Sequence, residues 1–173
     1  AARLDVAADI LINGLTIGRG NGNIATNTVL GNNGLVLNTT GNRNTGVGFS
    51  ALQKNTTGGF NVASGGYSLF NNTTGSYNSA YGDDAMTSNT SGIENTATGT
   101  SALRFNTVGN ENVGLGVYAG SVNSTGSKNT FIGTYSNAGA EGLTNATAIG
   151  NHAFVAASNS MVLGSINGIN GAT

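Results

Sequence analysis

The chain has 173 residues, the size of one domain, and a formal net charge of −1 with only 8% charged residues. This balance excludes a basic surface for nucleic acid or for an anionic membrane, and no apolar run reaches the length of a membrane helix. The chain has no cysteine, which excludes disulfides and thiolate metal sites, and no proline, which suits a backbone whose N–H groups pair throughout.

The first segment, residues 1–26, is less regular than the rest of the chain. Within it the run Asp9–Gly18 reads Asp-Ile-Leu-Ile-Asn-Gly-Leu-Thr-Ile-Gly and predicts a leading strand or cap.

From residue 27 to residue 144 the sequence repeats every seventeen residues. Glycine occupies one position of each repeat, and asparagine stands four residues before it. The glycines are Gly31, Gly48, Gly65, Gly82, Gly99, Gly116, Gly133 and Gly150. The asparagines are Asn27, Asn44, Asn61, Asn78, Asn95, Asn112 and Asn129. A short repeat without slips predicts stacked coils in a quasi-one-dimensional fold, and argues against disorder.

Each repeat is too short for a strand–helix unit and shows no helical spacing, so we expect two short strands and two tight turns per coil. The element Asn-Thr-Thr-Gly has turn chemistry. Small residues two before and three after the main glycine predict inward columns, beside a larger apolar column that Gly120 and Asn137 interrupt. That larger column comprises Leu52, Leu69, Met86, Leu103 and Phe154. We interpret the asparagine column as side-chain amides paired along the stack.

Two variable columns are expected to face solvent. One contains Arg43, Phe60, Tyr77, Glu94, Glu111 and Lys128. The other contains Asn33, Ser50, Tyr67, Asp84, Ser101, Tyr118, Tyr135 and His152. Phe60, Tyr67 and Tyr77 are candidate contacts to a receptor glycan, because aromatic rings stack on sugars. The alternative is that these rings only cover the edge of a packed seam.

The last segment, residues 145–173, changes rhythm. Asn145–Gly150 is followed fourteen residues later by Asn159–Gly164, which predicts a shorter coil and an exit segment. We expect the chain to be part of a longer protein.

No catalytic, cofactor or metal site is predicted. His152 lacks companion ligands, and Asp83-Asp84 does not recur as a calcium repeat. Glu94 and Glu111 are one coil apart, as like charges on a surface rather than an acid–base pair. Gly18–Gly22 lacks a phosphate-loop lysine. Asn-Thr-Thr matches the glycosylation sequon, but we interpret it as a repeated turn.

Two segments of the chain each resemble a known family. Asn145–Gly164 resembles the head repeats of trimeric autotransporter adhesins, whose cores read like Asn-Ser-x-Ala-Ile-Gly. The units from Asn27 to Ile149, and the run Asp9–Gly31, look more like repeats of bacteriophage tail fibres. The resemblance implies an all-β parallel β-roll or β-solenoid of 17-residue coils, passing to a 14-residue coil, in a homotrimeric fibre.

The expected function is structural or adhesive rather than enzymatic: a tail-fibre shaft in the virion, with host-receptor glycan or protein contact as a further role. One alternative is an adhesin head on the bacterial surface. A less favoured one is an ice-binding solenoid, suggested by Thr39, Thr56, Thr73, Thr90 and Thr107. Because a single stack of small residues offers little apolar area, we expect an obligate trimer. The Ala51/Ala85/Ala102 and Leu52/Leu69/Leu103 columns are predicted to face the partner chains.

Overall fold

The computed structural model describes residues 9–164 of the chain. Thirteen short strands and one 3-10 turn (Asn21–Asn23) make up its regular structure. The first seven strands are β1 (Ile10–Ile12), β2 (Leu15–Gly18), β3 (Thr28–Gly31), β4 (Thr45–Val47), β5 (Val62–Ser64), β6 (Ser79–Tyr81) and β7 (Thr96–Thr98). The last six are β8 (Val113–Leu115), β9 (Thr130–Ile132), β10 (Asn137–Ala138), β11 (Thr147–Ile149), β12 (Phe154–Val155) and β13 (Met161–Leu163).

The strands form an 11-stranded sheet in the order β1-β2-β3-β4-β5-β6-β7-β8-β9-β11-β13. From β3 to β13 every pairing is parallel, and from β3 to β11 each residue pairs with the residue seventeen positions later, as Ala63 does with Ala80. Successive coils therefore lie at the ladder spacing of about 4.8 Å. The predicted β-solenoid of 17-residue coils is confirmed.

At the N-terminal end of the stack, the run Asp9–Gly18 forms a hairpin rather than one strand. β1 pairs antiparallel with β2, and β2 pairs antiparallel with β3, placing Ile17 opposite Leu30. Both carboxylate oxygens of Asp9 accept hydrogen bonds, from the backbone N–H groups of Arg19 and Gly20 at 2.6 and 2.9 Å. The hairpin thus occupies the edge of the sheet that β3 would otherwise expose. Residues 1–8 and the predicted exit segment beyond residue 164 lie outside the described part.

The prediction of two strands per coil is wrong for the regular coils, which contain one strand each. After each strand, residues two and four positions past the main glycine are left-handed: φ is 55° at Ser50 and 54° at Leu52. Left-handed residues cannot continue an extended strand, so the far side of the coil is built from turns. Its backbone still bonds between coils, for example from Leu52 N to Ser68 O at 3.0 Å. A second two-stranded sheet, β10 with β12, forms only near the C-terminal end.

The larger apolar column lies inside the coil of a single chain. Leu52, Leu69, Met86 and Leu103 are fully buried, as are Ala51, Ala85 and Ala102. The prediction that these columns face partner chains is therefore wrong, because their own coil covers them on all sides. The prediction that Phe154 belongs to this inward column is also wrong: Phe154 is 46% exposed, while its neighbours Ala153 and Val155 are buried. Phe154 lies in β12, where strand alternation turns every second side chain outward.

Phe131 departs from the small inward column and Gly120 departs from the large one, and the two departures compensate each other in volume. Phe131 stands where most coils have alanine or glycine, and it is fully buried. Gly120 stands where most coils have leucine or methionine, and a Cβ there would collide with the Phe131 ring and lie 2.6 Å from Leu103 Cδ2. At this level of the stack the strand supplies the large side chain and the turn supplies the small residue, so the core stays filled.

Two buried asparagine ladders run along the stack. In the predicted one, Asn61 donates from its backbone N–H to Asn44 Oδ1 at 3.0 Å and from Nδ2 to Gly75 O at 2.9 Å. The second ladder consists of the asparagine of each Asn-Thr-Thr-Gly turn: Asn55 Nδ2 donates to Asn38 Oδ1 at 2.8 Å and to Gly58 O at 2.9 Å. A buried amide without partners costs about 1–3 kcal/mol, so these paired amides hold successive coils together, from Asn27 to Asn129 in the first ladder and from Asn38 to Asn123 in the second.

The main glycine column is required by conformation and by space. Gly82 has a φ of +134°, far from the values that other residues adopt. A Cβ at this position would lie 2.6 Å from the carbonyl carbon and oxygen of Gly99 in the next coil. The same arrangement recurs at Gly48, Gly65, Gly99 and Gly116, so these glycines let the coil turn while the backbones stay in contact.

Candidate interaction surfaces

The outer face of the 11-stranded sheet forms a continuous surface along residues 9–164. In each strand from β4 to β9 the middle residue is buried and the two flanking residues point outward. We call the outward residues of β3 to β9, β11 and β13 the sheet face. Its first column contains Thr28, Thr45, Val62, Ser79, Thr96, Val113, Thr130, Thr147 and Met161. Its second column contains Leu30, Val47, Ser64, Tyr81, Thr98, Leu115, Ile132, Ile149 and Leu163. None of these side chains is charged.

Sequence reasoning missed this face as a surface. The signal was present, because the residues on either side of the small inward residue are never charged in any repeat. The variable columns elsewhere, with their charged and aromatic side chains, are the more conspicuous binding signal in the sequence. A parallel sheet ordinarily has both of its faces covered. An uncharged face of a parallel sheet that is left open to solvent in the single chain is therefore unusual.

Two columns of side chains border the sheet face, one at each end of the strands. The first corner column precedes the strands and comprises Arg43, Phe60, Tyr77, Glu94, Glu111 and Lys128, with φ from 54° to 61°. The second corner column follows the strands and comprises Asn33, Ser50, Tyr67, Asp84, Ser101, Tyr118, Tyr135 and His152, with φ from 53° to 60°. The left-handed region costs a residue other than glycine roughly 1–2 kcal/mol, and asparagine tolerates it best. Large side chains are nevertheless kept at most of these positions.

The first corner column carries a short stack of side chains. The rings of Phe60 and Tyr77 lie 4.6 Å apart at an angle of 14°, and the guanidinium of Arg43 lies 4.9 Å from the Phe60 ring centre. Both faces of Phe60 are therefore covered within the chain, and the ring presents its edge to solvent. Both Phe60 and Tyr77 are exposed, as predicted.

Tyr67 lies apart from that pair, across the strand in the second corner column. Its ring makes edge contacts with Phe49 at 5.2 Å and with Phe70 at 5.6 Å, and Lys54 Nζ lies 4.8 Å from the Phe70 ring centre. The three candidate receptor residues are thus divided between two corners, and the chain does not bring them together as one aromatic surface.

Further along the second corner column, Tyr118, Tyr135 and His152 form a second stack. Both steps are 5.1 Å, with ring angles of 4° and 18°. His152 is exposed, as predicted, and its partner is an aromatic ring. Ser50 and Ser101 depart from the expected exposure of this column, since each is only 2% exposed.

Charged residues at the corners make two ion pairs. Asp84 lies 3.5 Å from Arg104 and also accepts a hydrogen bond from the Thr87 hydroxyl at 3.1 Å. Glu111 lies 4.0 Å from Lys128 of the next coil. Both pairs are partly or largely open to solvent, so each contributes at most about 1 kcal/mol.

The fold explains the remaining sequence motifs. The sequon asparagines, such as Asn55 and Asn72, are fully buried in the second ladder and inaccessible to a modifying enzyme. The threonine that follows each of them donates its hydroxyl to the next coil, as Thr56 does to Thr73 O at 2.9 Å. Within residues 9–164, no group of three or more acidic or histidine side chains is arranged to hold a metal ion, and no helix could span a membrane.

Comparison of the chain with protein-family models, with curated proteins and with solved structures finds no significant match.

Proposed function

We propose that this chain is a stiff spacer in a homotrimeric extracellular fibre, with the sheet faces of three copies packed around a common axis. The tail-fibre shaft is the form of this proposal that the repeat pattern favours, and the head of a bacterial adhesin is the alternative. The observation that carries the proposal is the uncharged sheet face, which runs from β3 to β13 without interruption.

The composition of the sheet face supports burial against protein. Leu30, Tyr81, Leu115 and Leu163 are between 43% and 66% exposed in the single chain. Exposed apolar patches mark interaction sites in soluble proteins, and here the apolar side chains are concentrated in the second column of the sheet face. A polar rim around a centre without charged residues is the usual anatomy of a protein–protein interface, and the charged residues of the two corner columns border the sheet face in this way.

The stack itself supports a mechanical role. Nearly every coil is joined to the next by backbone bonds, by two asparagine ladders and by a threonine hydroxyl. These bonds all run along the axis, so bending the stack requires breaking several of them together. A chain of this design holds its two ends at a fixed separation.

Ice binding remains the weaker candidate. The threonine column that suggested it uses its hydroxyls inside the stack. On the sheet face only β7 presents two outward threonines, Thr96 and Thr98, with one residue between them. Tyr81 in the adjacent strand projects from the face, whereas a flat lattice needs side chains of equal height. A thermal-hysteresis assay with no activity would dispose of this alternative.

The proposal is tested by placing a charge on the sheet face. Sedimentation equilibrium of the natural chain is expected to give a trimer. Thr98→Glu is expected to give a monomer, because three like charges would be brought together at the axis. Thr100→Glu is the matched control: it is exposed two residues further on, outside the sheet face, and should leave the trimer intact. A natural chain that remains a folded monomer at all concentrations would refute the proposal.

A further inference from the structure

We propose that the two corner columns pair with each other between neighbouring copies, coil by coil, and thereby close the borders of the trimer interface. This inference rests on the proposed trimer but goes beyond it, because packing of the sheet faces alone does not specify which side chains meet at their borders. The partner is a second copy of this chain, and the contact is made by the two borders of the sheet face.

The geometry follows from the position of the corner columns. Arg43 and Ser50 flank β4 on opposite sides, and the same holds for Phe60 and Tyr67 around β5. If three sheet faces surround an axis parallel to the stack, each copy places its first corner column beside the second corner column of the next copy. Rotation about that axis keeps equivalent coils at the same height, so the contact is heterologous and closes after three copies.

The residues opposite one another are chemically matched in the in-register arrangement. The Tyr77 phenol can donate to Asp84 of the neighbouring copy, and the Tyr118 phenol can donate to Glu111. The ammonium group of Lys128 can donate to the Tyr135 phenol oxygen. Each of these six side chains is exposed or half-buried in the single chain. Pairing of this kind satisfies polar groups at the border of an interface.

The ring stacks orient these groups for such contacts. Because Tyr118, Tyr135 and His152 cover each other's faces, their edges and polar atoms are what remain for a neighbour. Phe60 likewise presents an edge, having Arg43 and Tyr77 on its two faces, and the residue opposite it is the exposed Tyr67. Edge-to-face contact is a favourable arrangement for two aromatic rings.

Side-chain size is matched as well. The two small, buried positions of the second corner column are Ser50 and Ser101, each 2% exposed. The in-register residues opposite them are Arg43 and Glu94, both long and exposed. A long side chain therefore meets a low point of the neighbouring column, whereas two long side chains would hold the copies apart.

Displacement of one copy by a single coil changes these pairs. In one direction Glu94 is brought opposite Asp84, which places two carboxylates together. In the other direction Phe60 is separated from Tyr67 and the Tyr77 phenol from Asp84. The in-register arrangement that the three-fold rotation imposes avoids both changes.

The test uses the absence of cysteine from the natural chain. The in-register variant combines Phe60→Cys with Tyr67→Cys. These two positions lie on either side of β5 in one chain, more than about 10 Å apart, too far for an internal disulfide. The off-register control combines Phe60→Cys with Tyr135→Cys, four coils away, and the single variants are further controls. Each is oxidised, and in parallel treated with a short bismaleimide reagent, which tolerates imperfect disulfide geometry.

The in-register variant is expected to run as a covalent trimer on a denaturing gel, and the controls as monomers. Sedimentation of the same samples before oxidation separates the two proposals. A trimer that fails to cross-link with either reagent, or that cross-links equally well in the off-register control, overturns the corner pairing while leaving the trimer standing. A monomer in sedimentation overturns both.

Discussion

The regular coils and the final coil stack in the same strand register but use different numbers of residues. Between β4 and β9 a coil takes seventeen residues, whereas β11 and β13 are joined by a coil of fourteen. The strand register is unbroken across this change: Ala148 pairs with Phe131 on one side and with Val162 on the other. The strand and the main glycine that follows it are therefore the constant parts of the coil. The turns on the far side of the coil are the part that can be shortened.

The second asparagine ladder ends before the coil is shortened: it reaches Asn123 and has Ala140 at its next position, in a coil that still has seventeen residues. The first ladder ends one coil later, where the backbone N–H of Ala146 donates to Asn129 Oδ1 at 2.9 Å. The final coil instead has an exposed pair at the position of the first corner column, with Asn145 Nδ2 donating to Asn159 Oδ1 at 3.1 Å. Buried amides thus hold the regular coils together, while the final coil depends more on alternating strands such as β12.

The largest expected effect comes from the glycine column, and it should differ between the two regions. Gly82→Ala should destabilise the chain by more than about 3 kcal/mol, since it combines a forbidden φ with a collision against the next coil. Gly164→Ala changes the equivalent glycine of the final coil, where a Cβ would meet no atom of residues 9–164 within 4 Å. It should cost only about 1 kcal/mol, from its φ. Urea unfolding at equal chain concentration measures both, and equal losses would contradict the comparison.

The exchange of volume between Phe131 and Gly120 should give the next largest effect. Phe131→Ala removes a fully buried ring and is expected to cost about 3–5 kcal/mol. Adding Gly120→Leu recreates the pattern of the other coils and should recover a substantial part of that loss. Gly120→Leu alone should be destabilising, because its side chain would collide with the Phe131 ring. A double-mutant cycle with no coupling would show that the two positions do not share a core.

Loss of an asparagine side chain should destabilise the regular coils more than the final coil. Asn78→Ala removes the acceptor for the backbone N–H and Nδ2 of Asn95 and leaves buried groups unpaired, which should cost about 2–4 kcal/mol. Asn145→Ala, the same substitution at the exposed pair, should cost about 1 kcal/mol or less. The measurement is again unfolding by urea, with hydrogen exchange at residue 95 as a local readout. A larger loss for Asn145→Ala would reverse the assignment of the ladders.

The smallest expected effect on stability is at the first corner column. Phe60→Ser with Tyr77→Ser should change the unfolding free energy of the single chain by about 1 kcal/mol or less, because both rings are exposed before the copies associate. If the segment is only a spacer, the folded double variant should bind cells or isolated glycans as the natural chain does. A loss of binding without loss of the trimer would assign receptor contact to this column instead.

Most of the fold could be predicted from the sequence. Period, parallel stacking, the glycine column, the first asparagine ladder and the shorter final coil all follow from residues that recur at fixed spacing. The one-strand coil could not be predicted, because it depends on leucine and methionine adopting left-handed φ, which their preferences disfavour. Phe154 was assigned to the wrong column because a period of seventeen places it there, while a local change to extended backbone turns it outward.

The sequence by itself determined that the coils stack, since a repeat of seventeen residues can bury its small inner columns only against copies of itself. Only the tertiary structure decided which columns are covered by the chain and which are left for a neighbour. The physical reason is that direction around the coil is set by backbone angles, which the periodicity of the sequence does not specify. The leucine column therefore proved to be internal, and the uncharged sheet face, bordered by its two corner columns, proved to be the surface left open.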